Sequence, residues 1–382
     1  MSMKKTRFVA VLIGSTRAWH RRAILGVVRY RRVSGQWKIF AEPTIVGDRR
    51  IPPEALRADG AIVDIIRRED AKPLLDRGIP MVNLTTTDEL PEAPHVSNQG
   101  KGIGQLAFDH LHERGFRHFA CCATGGYSYV RSRYFTASAK AAGFECQTYN
   151  PPPGVVMGLD EDRAALAAWI KSLPKPVGIL AVHDVRGRHV IDACNEHGIH
   201  VPDEVGVMGV DDELPHCEMC EPPLSSVRTN AERIGFEAAA LLNRLMDGEP
   251  APTAPLLIPP THIVTRQSTD ALVTKDELVA KAIRFIRQYA CDGIDVEDVL
   301  NHVIVSRSVL DRRMTDAFGR TPHEEIIHVR IGHARTLITE TNLSMSEIAE
   351  HTGFNYAENM GRVFRKKLGR SPGSFREEMK ER

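Results

Sequence analysis

The last hundred residues repeat one local pattern twice: a short amphipathic helix, a tight turn, and a longer helix with a basic outer face. That repeat restricts the tail to a pair of helix-turn-helix units, about 295–319 and 346–368. In the second, Glu347-Ile348-Ala349-Glu350-His351 reads as the first helix and Gly353 as the turn residue that tolerates positive φ. Ser346 is placed to cap that helix, since its hydroxyl can accept a backbone N–H left free in the first turn. Phe354 fills the corner. Met360, Val363, Phe364 and Leu368 then recur at helical spacing, with Arg362, Arg365, Lys366 and Lys367 on the other face. A helix so charged on one side is suited to lie against phosphates.

The first unit has Val296, Val299 and Leu300 on a short helix, a turn at Ile304-Val305-Ser306, and a second helix from Arg307. Leu310 and Met314 face inward; Arg307, Arg312 and Arg313 are left outward. Ser306 or Ser308 can cap it. Between the units, Thr321-Pro322-His323-Glu324 opens a further helix, with Thr321 as cap, Pro322 at the first helical position and Glu324 reaching back.

The tail is similar to AraC-type transcription regulators in Ser346-Glu347-Ile348-Ala349, Thr352-Gly353-Phe354, Arg362 to Pro372 and Phe375-Arg376. The resemblance covers about Lys281 to Arg376. It implies two recognition helices in successive major grooves on one face of a DNA duplex, about one helical turn apart. By it, Arg307, Ser308, Asp311 and Arg312 face the first groove, and Asn355, Ala357, Glu358, Asn359 and Arg362 the second, with Arg365 and Lys366 beside them. Met314 and Met360 stand where the family usually has Phe, and Gly361 where it often has Ser or Thr, which bears on base preference rather than on fold.

Formal net charge over the 382 residues is only +1, so affinity for nucleic acid has to come from a local patch, which Arg362, Arg365, Lys366, Lys367 and Arg370 provide. No apolar run is long enough to span a membrane. The start, Met1 to Arg7, is basic, and Phe8 to Ile13 is too short for a signal peptide and reads as a strand. A cytoplasmic location is expected. The seven cysteines are odd in number and mostly isolated, as suits reduced thiols. His216-Cys217-Glu218-Met219-Cys220 has ligand-like spacing, but zinc needs about four ligands and no second pair lies near, so no metal or cofactor is expected.

Residues before about Asp270 alternate strands and helices, which argues for parallel sheets wound on both faces, with too many units for one sheet and therefore two lobes. The domains expected are 1–270, an α/β two-lobed unit, and 271–382, an all-α unit, joined by a linker from Thr269 to Glu277 in which Thr274-Lys275-Asp276 caps the next helix. Ligands in such sheets bind beyond the carboxyl ends of strands, here Ser15 to Trp19, Asn83 to Thr87, Ala123 to Arg133, His183 to Arg186 and Asp211 to Glu213.

This half resembles the two-lobed sugar-binding domain of LacI-type repressors and periplasmic sugar-binding proteins, in Ala181-Val182-His183-Asp184, Gly198 to Val205, Met208 to Asp212 and Pro222 to Val227. The resemblance implies a small sugar effector, and the combination of such a sensor with an AraC-type reader, together with Asp184 to His189, Val305 to Ser308 and Pro260 to Asp270, resembles regulators of pentose catabolic operons and implies xylose first, an activator and a homodimer acting with RNA polymerase. A sugar site needs carboxylates that take two hydroxyls, an arginine that donates back and an aromatic face. Asp184 and Asp211 at strand ends, Arg133 and Arg186 near them, and Trp19 over the ring fill those roles. Blander roles exist for each: Asp184 could cap its helix, Arg131 and Arg133 could be surface charges, and Trp19 could be core. A regulator for another sugar and a nucleotide-binding α/β enzyme are the alternatives. Gly100-Lys101-Gly102-Ile103-Gly104 invites the second, but the third glycine of a dinucleotide loop and the acidic residue beyond it are missing.

Overall fold

The structure is a computed structural model that describes residues 6–34, 37–41, 51–85, 89–123, 128–151, 154–271 and 276–381. Met1 to Lys5, Thr86 and Thr87, residues 124–127 of the loop after Ala123, and Thr274 and Lys275 of the linker lie outside the described residues. The chain divides into two compact units, Met1–Ala271 and Leu272–Arg382.

In the first unit, β1 (Arg7–Leu12), α1 (Ala18–Ser34), β2 (Trp37–Ala41), β3 (Gly60–Val63), α2 (Arg68–Leu75) and β4 (Met81–Asn83) build the first lobe, around a parallel sheet of order β2-β1-β3-β4. The chain crosses over at β5 (Val96–Asn98). The second lobe follows as α3 (Gly100–Glu113), β6 (His118–Cys122), α4 (Ser128–Ala141), β7 (Cys146–Tyr149), α5 (Asp160–Ser172), β8 (Val177–Ala181), α6 (Asp184–Glu196), β9 (Val205–Val210), α7 (Leu214–Glu218) and β10 (Ser225–Arg228). Then α8 (Ala231–Met246) returns to the first lobe, and β11 (Leu256–Ile258), paired with β5, leads back to β12 (His262–Val264). The second sheet has the order β12-β10-β9-β8-β6-β7, parallel except for β12. Fully buried runs such as Val-Gly-Ile-Leu-Ala in β8 and Val-Gly-Val-Met-Gly-Val in β9 are what a sheet covered on both faces requires.

Three chain crossings therefore join the lobes, and the two-lobed expectation holds. The crossing strands β5 and β11 are three residues each, too short for periodicity to reveal. The return of α8 to the first lobe is sealed by Gly26 on α1 and Gly235 on α8. A Cβ at Gly26 would overlap the Glu232 carbonyl oxygen and crowd Phe236 N at 2.8 Å, and one at Gly235 would overlap the Ala23 carbonyl. The two helices touch at their backbones, and Ala23, Val27, Ile234, Ala238 and Leu242 pack around that contact.

The second unit is all helix: α9 (Glu277–Tyr289), α10 (Val296–Val303), α11 (Arg307–Phe318), α12 (Pro322–Glu340), α13 (Met345–His351), α14 (Ala357–Leu368) and α15 (Pro372–Glu381). It has two small cores, one from α9, α10, α11 and Ile326, the other from Ile331, Ala334, Ile338, Ile348, Phe354, Met360, Phe364 and Phe375. The long helix α12 contributes to both. Thr321 and Glu324 form the expected capping box at its start. At α13 the cap is Ser344, not Ser346: Ser344 accepts from Glu347 N while the Glu347 carboxylate accepts from Ser344 N at 2.7 Å. The physical reason is spacing, since only Ser344 has a glutamate three residues on. Ser306 occupies the cap position of α11 without a side-chain cap bond, and Asp276 caps α9 by accepting from Leu278 N and Val279 N. Gly353 turns with φ 70°.

Helix propensity alone favours Ala over Gly by about 1 kcal/mol, whereas forcing atoms into a packed contact costs about 1–3 kcal/mol. Gly26→Ala is therefore expected to lower the melting temperature of the first unit. Gly361→Ala, whose Cβ meets nothing within 4 Å, should raise that of the second. Differential scanning calorimetry of the full chain checks both signs.

Candidate ligand cleft and nucleic-acid interface

In the first unit the segments that follow strand ends of the two lobes approach each other, and the charged side chains on either side of that approach define a candidate cleft. On the first-lobe side, Asp64 follows β3. Its carboxylate meets His20 Nε2 at 2.9 Å and accepts from the Thr85 hydroxyl. Burial pushes the Asp64 acid up, but hydrogen bonds and charge from His20, the Thr85 hydroxyl and Arg17 outweigh it and hold the group below the ordinary carboxylate range. Asn83, fully buried at the end of β4, fixes both loops: it accepts from Ile65 N at 3.1 Å and Thr85 N at 3.2 Å and donates to Ile65 O at 2.7 Å. His20 Nδ1 and Trp19 Nε1 are buried without a hydrogen-bond partner among the described residues.

On the second-lobe side, Asp211 follows β9 and is gripped by Arg131 of α4 in a bidentate pair, at 2.9 and 3.0 Å. Arg131 also donates to Val182 O at 2.6 Å, and Thr229 donates to Asp211 at 3.2 Å. Burial raises the Asp211 acid, but Arg131, His183 and Thr229 bring it below its ordinary value. His183 is held to about 3, by burial first and then by Arg17, Arg131 and Arg186, so it is neutral across the physiological range; its Nδ1 accepts from Arg186 N at 3.1 Å. Arg17 thus acts on both walls.

Among the described residues, α1 and the Asp211–Glu213 loop join the lobes directly, with Arg21 also 3.7 Å from the Glu213 carboxylate. Arg22 of α1 donates to the carbonyls of Asp211 and Asp212 at 2.8 and 2.6 Å, and the Glu213 carboxylate accepts from Ala18 N at 3.0 Å.

The residues singled out from sequence are placed unevenly. Asp211 is in the cleft wall. Trp19 is 9% exposed, packed in the first-lobe core edge-on to His20 at 5.3 Å. Asp184 is buried beneath the Asp211 loop, where Ser226 Oγ at 2.6 Å and Glu213 N at 2.7 Å donate to it. It caps neither its own helix nor a hydroxyl in the open cleft. Arg186 is fully buried, its guanidinium committed to Asp162, at 2.9 Å through Nη2, and to Cys122 Sγ at 3.1 Å. Arg133 is on the solvent face of α4, stacked on Tyr134 at 4.9 Å. Two residues are about 200° around a helix, so when Arg131 faces the cleft Arg133 turns away. Asp64, directly after β3, and His20 and Arg22, in the first two turns of α1 beyond β1, join the residues named from sequence; nearness to a strand end is the signal the sequence carries for them.

In the second unit both basic helices are open on one side. On α11, Arg307, Ser308, Arg312 and Arg313 are exposed, and Arg307 lies 3.9 Å from half-buried Asp311. On α14, Glu358, Arg362, Arg365 and Lys366 are exposed, Asn359 accepts from Arg362 at 3.0 Å, and Ala357 packs on the core. A shallow concavity there is lined by Asn355, Tyr356, Glu358, Asn359 and Arg362. Within the second unit, between its two helix-turn-helix segments, Arg330 of α12 donates to Ala290 O at 2.8 Å and Ile294 O at 2.7 Å, and lies over the Phe354 ring at 5.8 Å.

Residues 108–269 match a family model described as a periplasmic binding protein-like domain, and residues 300–378 one described as a helix-turn-helix domain. The xylose operon regulatory protein of Haemophilus influenzae is 31% identical over 96% of this chain and 97% of that protein. Its namesake from Escherichia coli K12 is 30% identical over 98% and 97%. A solved structure of the xylose-binding transcription activator xylR superposes with a TM-score of 0.75 at 29% identity, covering 98% of both chains.

Removing one partner of a buried ion pair costs about 3–5 kcal/mol, whereas an exposed arginine is worth about 0–1 kcal/mol. Arg131→Ala is expected to destabilise the first unit markedly and Arg133→Ala hardly at all, read by urea unfolding. The depressed Asp211 acid adds stability above its unfolded value of about 4 and loses it as pH falls through the folded value. Asp211→Asn should therefore flatten the acid limb of stability against pH.

Proposed function

The chain belongs to the family of xylose operon regulatory proteins and is a sugar-responsive, DNA-binding transcription regulator; on that premise we propose that xylose is its effector and that the cleft between the two lobes holds it. The observation that carries this reading is the pair of facing polar walls. A pentose presents hydroxyls that both donate and accept, with C–H faces between them. Asp211 and Arg131 offer an acceptor and a donor from one lobe, and Asp64 and His20 offer the same from the other. Trp19 Nε1 and His20 Nδ1, which have no partner among the described residues, are the kind of buried polar atoms that a bound hydroxyl satisfies. Asp184 and Arg186 act from behind: the first steadies the Asp211 loop, the second the start of α6. Arg133 takes no part.

Xylose shifts the sensor toward the arrangement it binds better, and by no more than its differential affinity for that arrangement. Arg22 and Glu213 already tie the lobes, so they set how far the closed arrangement is populated without sugar. In the tail, Arg307, Ser308, Asp311 and Arg312 read one major groove, and Asn355, Ala357, Glu358, Asn359 and Arg362 the next, with Arg365 and Lys366 on phosphates. The protein works as a homodimer, since linked readers multiply affinity through effective concentration. It recruits RNA polymerase as an activator, catalyses no reaction, and acts in the cytoplasm, where DNA is reached and thiols stay reduced. Among the described residues, no helix is long and apolar enough to cross a membrane.

A thermal-shift panel of free sugars tests the effector. At a hundredfold excess over Kd, mass action adds about 2.7 kcal/mol, roughly 5–10 °C for a unit of this size. Xylose should give the largest shift; a larger one from a hexose would reassign the effector, and no shift from any sugar would remove the reading. For the reader, Arg312→Ala with Arg362→Ala should abolish DNA binding in anisotropy titrations while the xylose shift is unchanged.

A further inference from the structure

Each reading helix is entered past a large apolar side chain that the fold leaves in solvent. Ile304, in the turn before α11, is 87% exposed, and Tyr356, immediately before α14, is 70% exposed. Both are unfavourable choices for folding. Ile304 has φ 55° and ψ 58°, a left-handed conformation that a β-branched residue rarely adopts and that glycine would take without strain. Tyr356 sits at the N-cap of α14 with extended backbone and makes no side-chain cap bond, where Ser, Thr, Asp or Asn would satisfy a free N–H. A residue that costs stability by its conformation or its missing cap, and gains none by burial, at the same place before each reading helix, points to a compensation outside the chain.

The surroundings say what lies there. Ile304 precedes the exposed Arg307, Ser308 and Arg312, and Tyr356 shares one concavity with Asn355, Glu358, Asn359 and Arg362. Both apolar groups are thus set among the donors and cations that suit a phosphate-flanked groove. In the major groove the one apolar group that protrudes from a base edge is the 5-methyl of thymine, where cytosine has only a hydrogen. We propose that Ile304 and Tyr356 are specificity-determining contacts, one at the entrance of each reading helix, that recognise a thymine through its methyl group. This rests on the reading of the second unit as a DNA reader, and it adds residues that charge and hydrogen-bonding capacity do not pick out.

The test uses the full chain and duplexes selected from a random-sequence pool by the wild-type protein. Tyr356→Ser restores a cap and Ile304→Gly relieves the left-handed strain, so both variants are expected to melt higher than wild type, and loss of fold cannot mimic the result. Wild type should fix a thymine in each half of the selected site, and replacing either by deoxyuridine should weaken binding about fourfold, the worth of one methyl-sized group. Each variant should lose the preference and the deoxyuridine penalty at its own position only. The salt dependence should be unchanged, because no phosphate contact is removed. Variants that select the same sites with the same deoxyuridine penalties would overturn the proposal, as would a loss of affinity uniform across sequences. A wild-type protein that selects no sequence at all would instead remove the DNA-reading assignment beneath it.

Discussion

The loop Asp211-Asp212-Glu213 is the constraint on which the first unit turns. Asp211 and Asp212 stand at φ 99° and 50°, conformations that cost about 1–3 kcal/mol each for residues with a Cβ. The surroundings hold them there. Ser226 Oγ receives Asp212 N at 3.0 Å, Asp184 receives Glu213 N at 2.7 Å, and the Asp212 carboxylate lies between Arg228 and Arg266, each at 3.0 Å. Held in this form, the loop aims one carboxylate into the cleft, two carbonyls at Arg22 and another carboxylate at the start of α1. The wall that would meet a ligand and the tie between the lobes are consecutive residues.

The same anchoring reaches the end of the unit. Arg266 stands just ahead of Ser268, whose hydroxyl donates to Val207 O at 2.6 Å and accepts from Ser225 N at 2.8 Å. Thr269 lies between His110, at 2.8 Å, and Ser225 Oγ. The chain therefore leaves the first unit from the second lobe, bonded to the strand whose Ser226 also receives Asp212 N. In the second unit Arg330 bonds the segment between α9 and α10 and covers the Phe354 ring in the turn between α13 and α14.

Much of this was legible in the sequence, and the exceptions have physical causes. Continuous apolar runs bounded by turn residues and period-3.6 patterns make the alternation of buried strands and helices readable, as in β6 and β9. The short crossings β5 and β11 carry no periodicity. The reader's caps and turn glycine were readable because they are local, apart from Ser344, where the glutamate partner and not proximity to the apolar run decides. The cleft was harder. Asp184 and Arg186 sit at a strand end, as ligands do, yet their partners Ser226 and Asp162 are distant in sequence and turn them inward. Arg131 and Arg133 differ only in helix phase. Asp64 with His20 is a pairing across 44 residues that no spacing rule reveals.

The central claim is that occupancy of the cleft and DNA binding are one linked equilibrium. The most direct measurement is a closed thermodynamic square on the full chain: xylose affinity by calorimetry with and without a selected duplex, and duplex affinity by anisotropy with and without xylose. Linkage requires the two ratios to be equal and, for a working switch, to differ from unity by about 5- to 150-fold. Tight xylose binding with both ratios at unity would contradict the account.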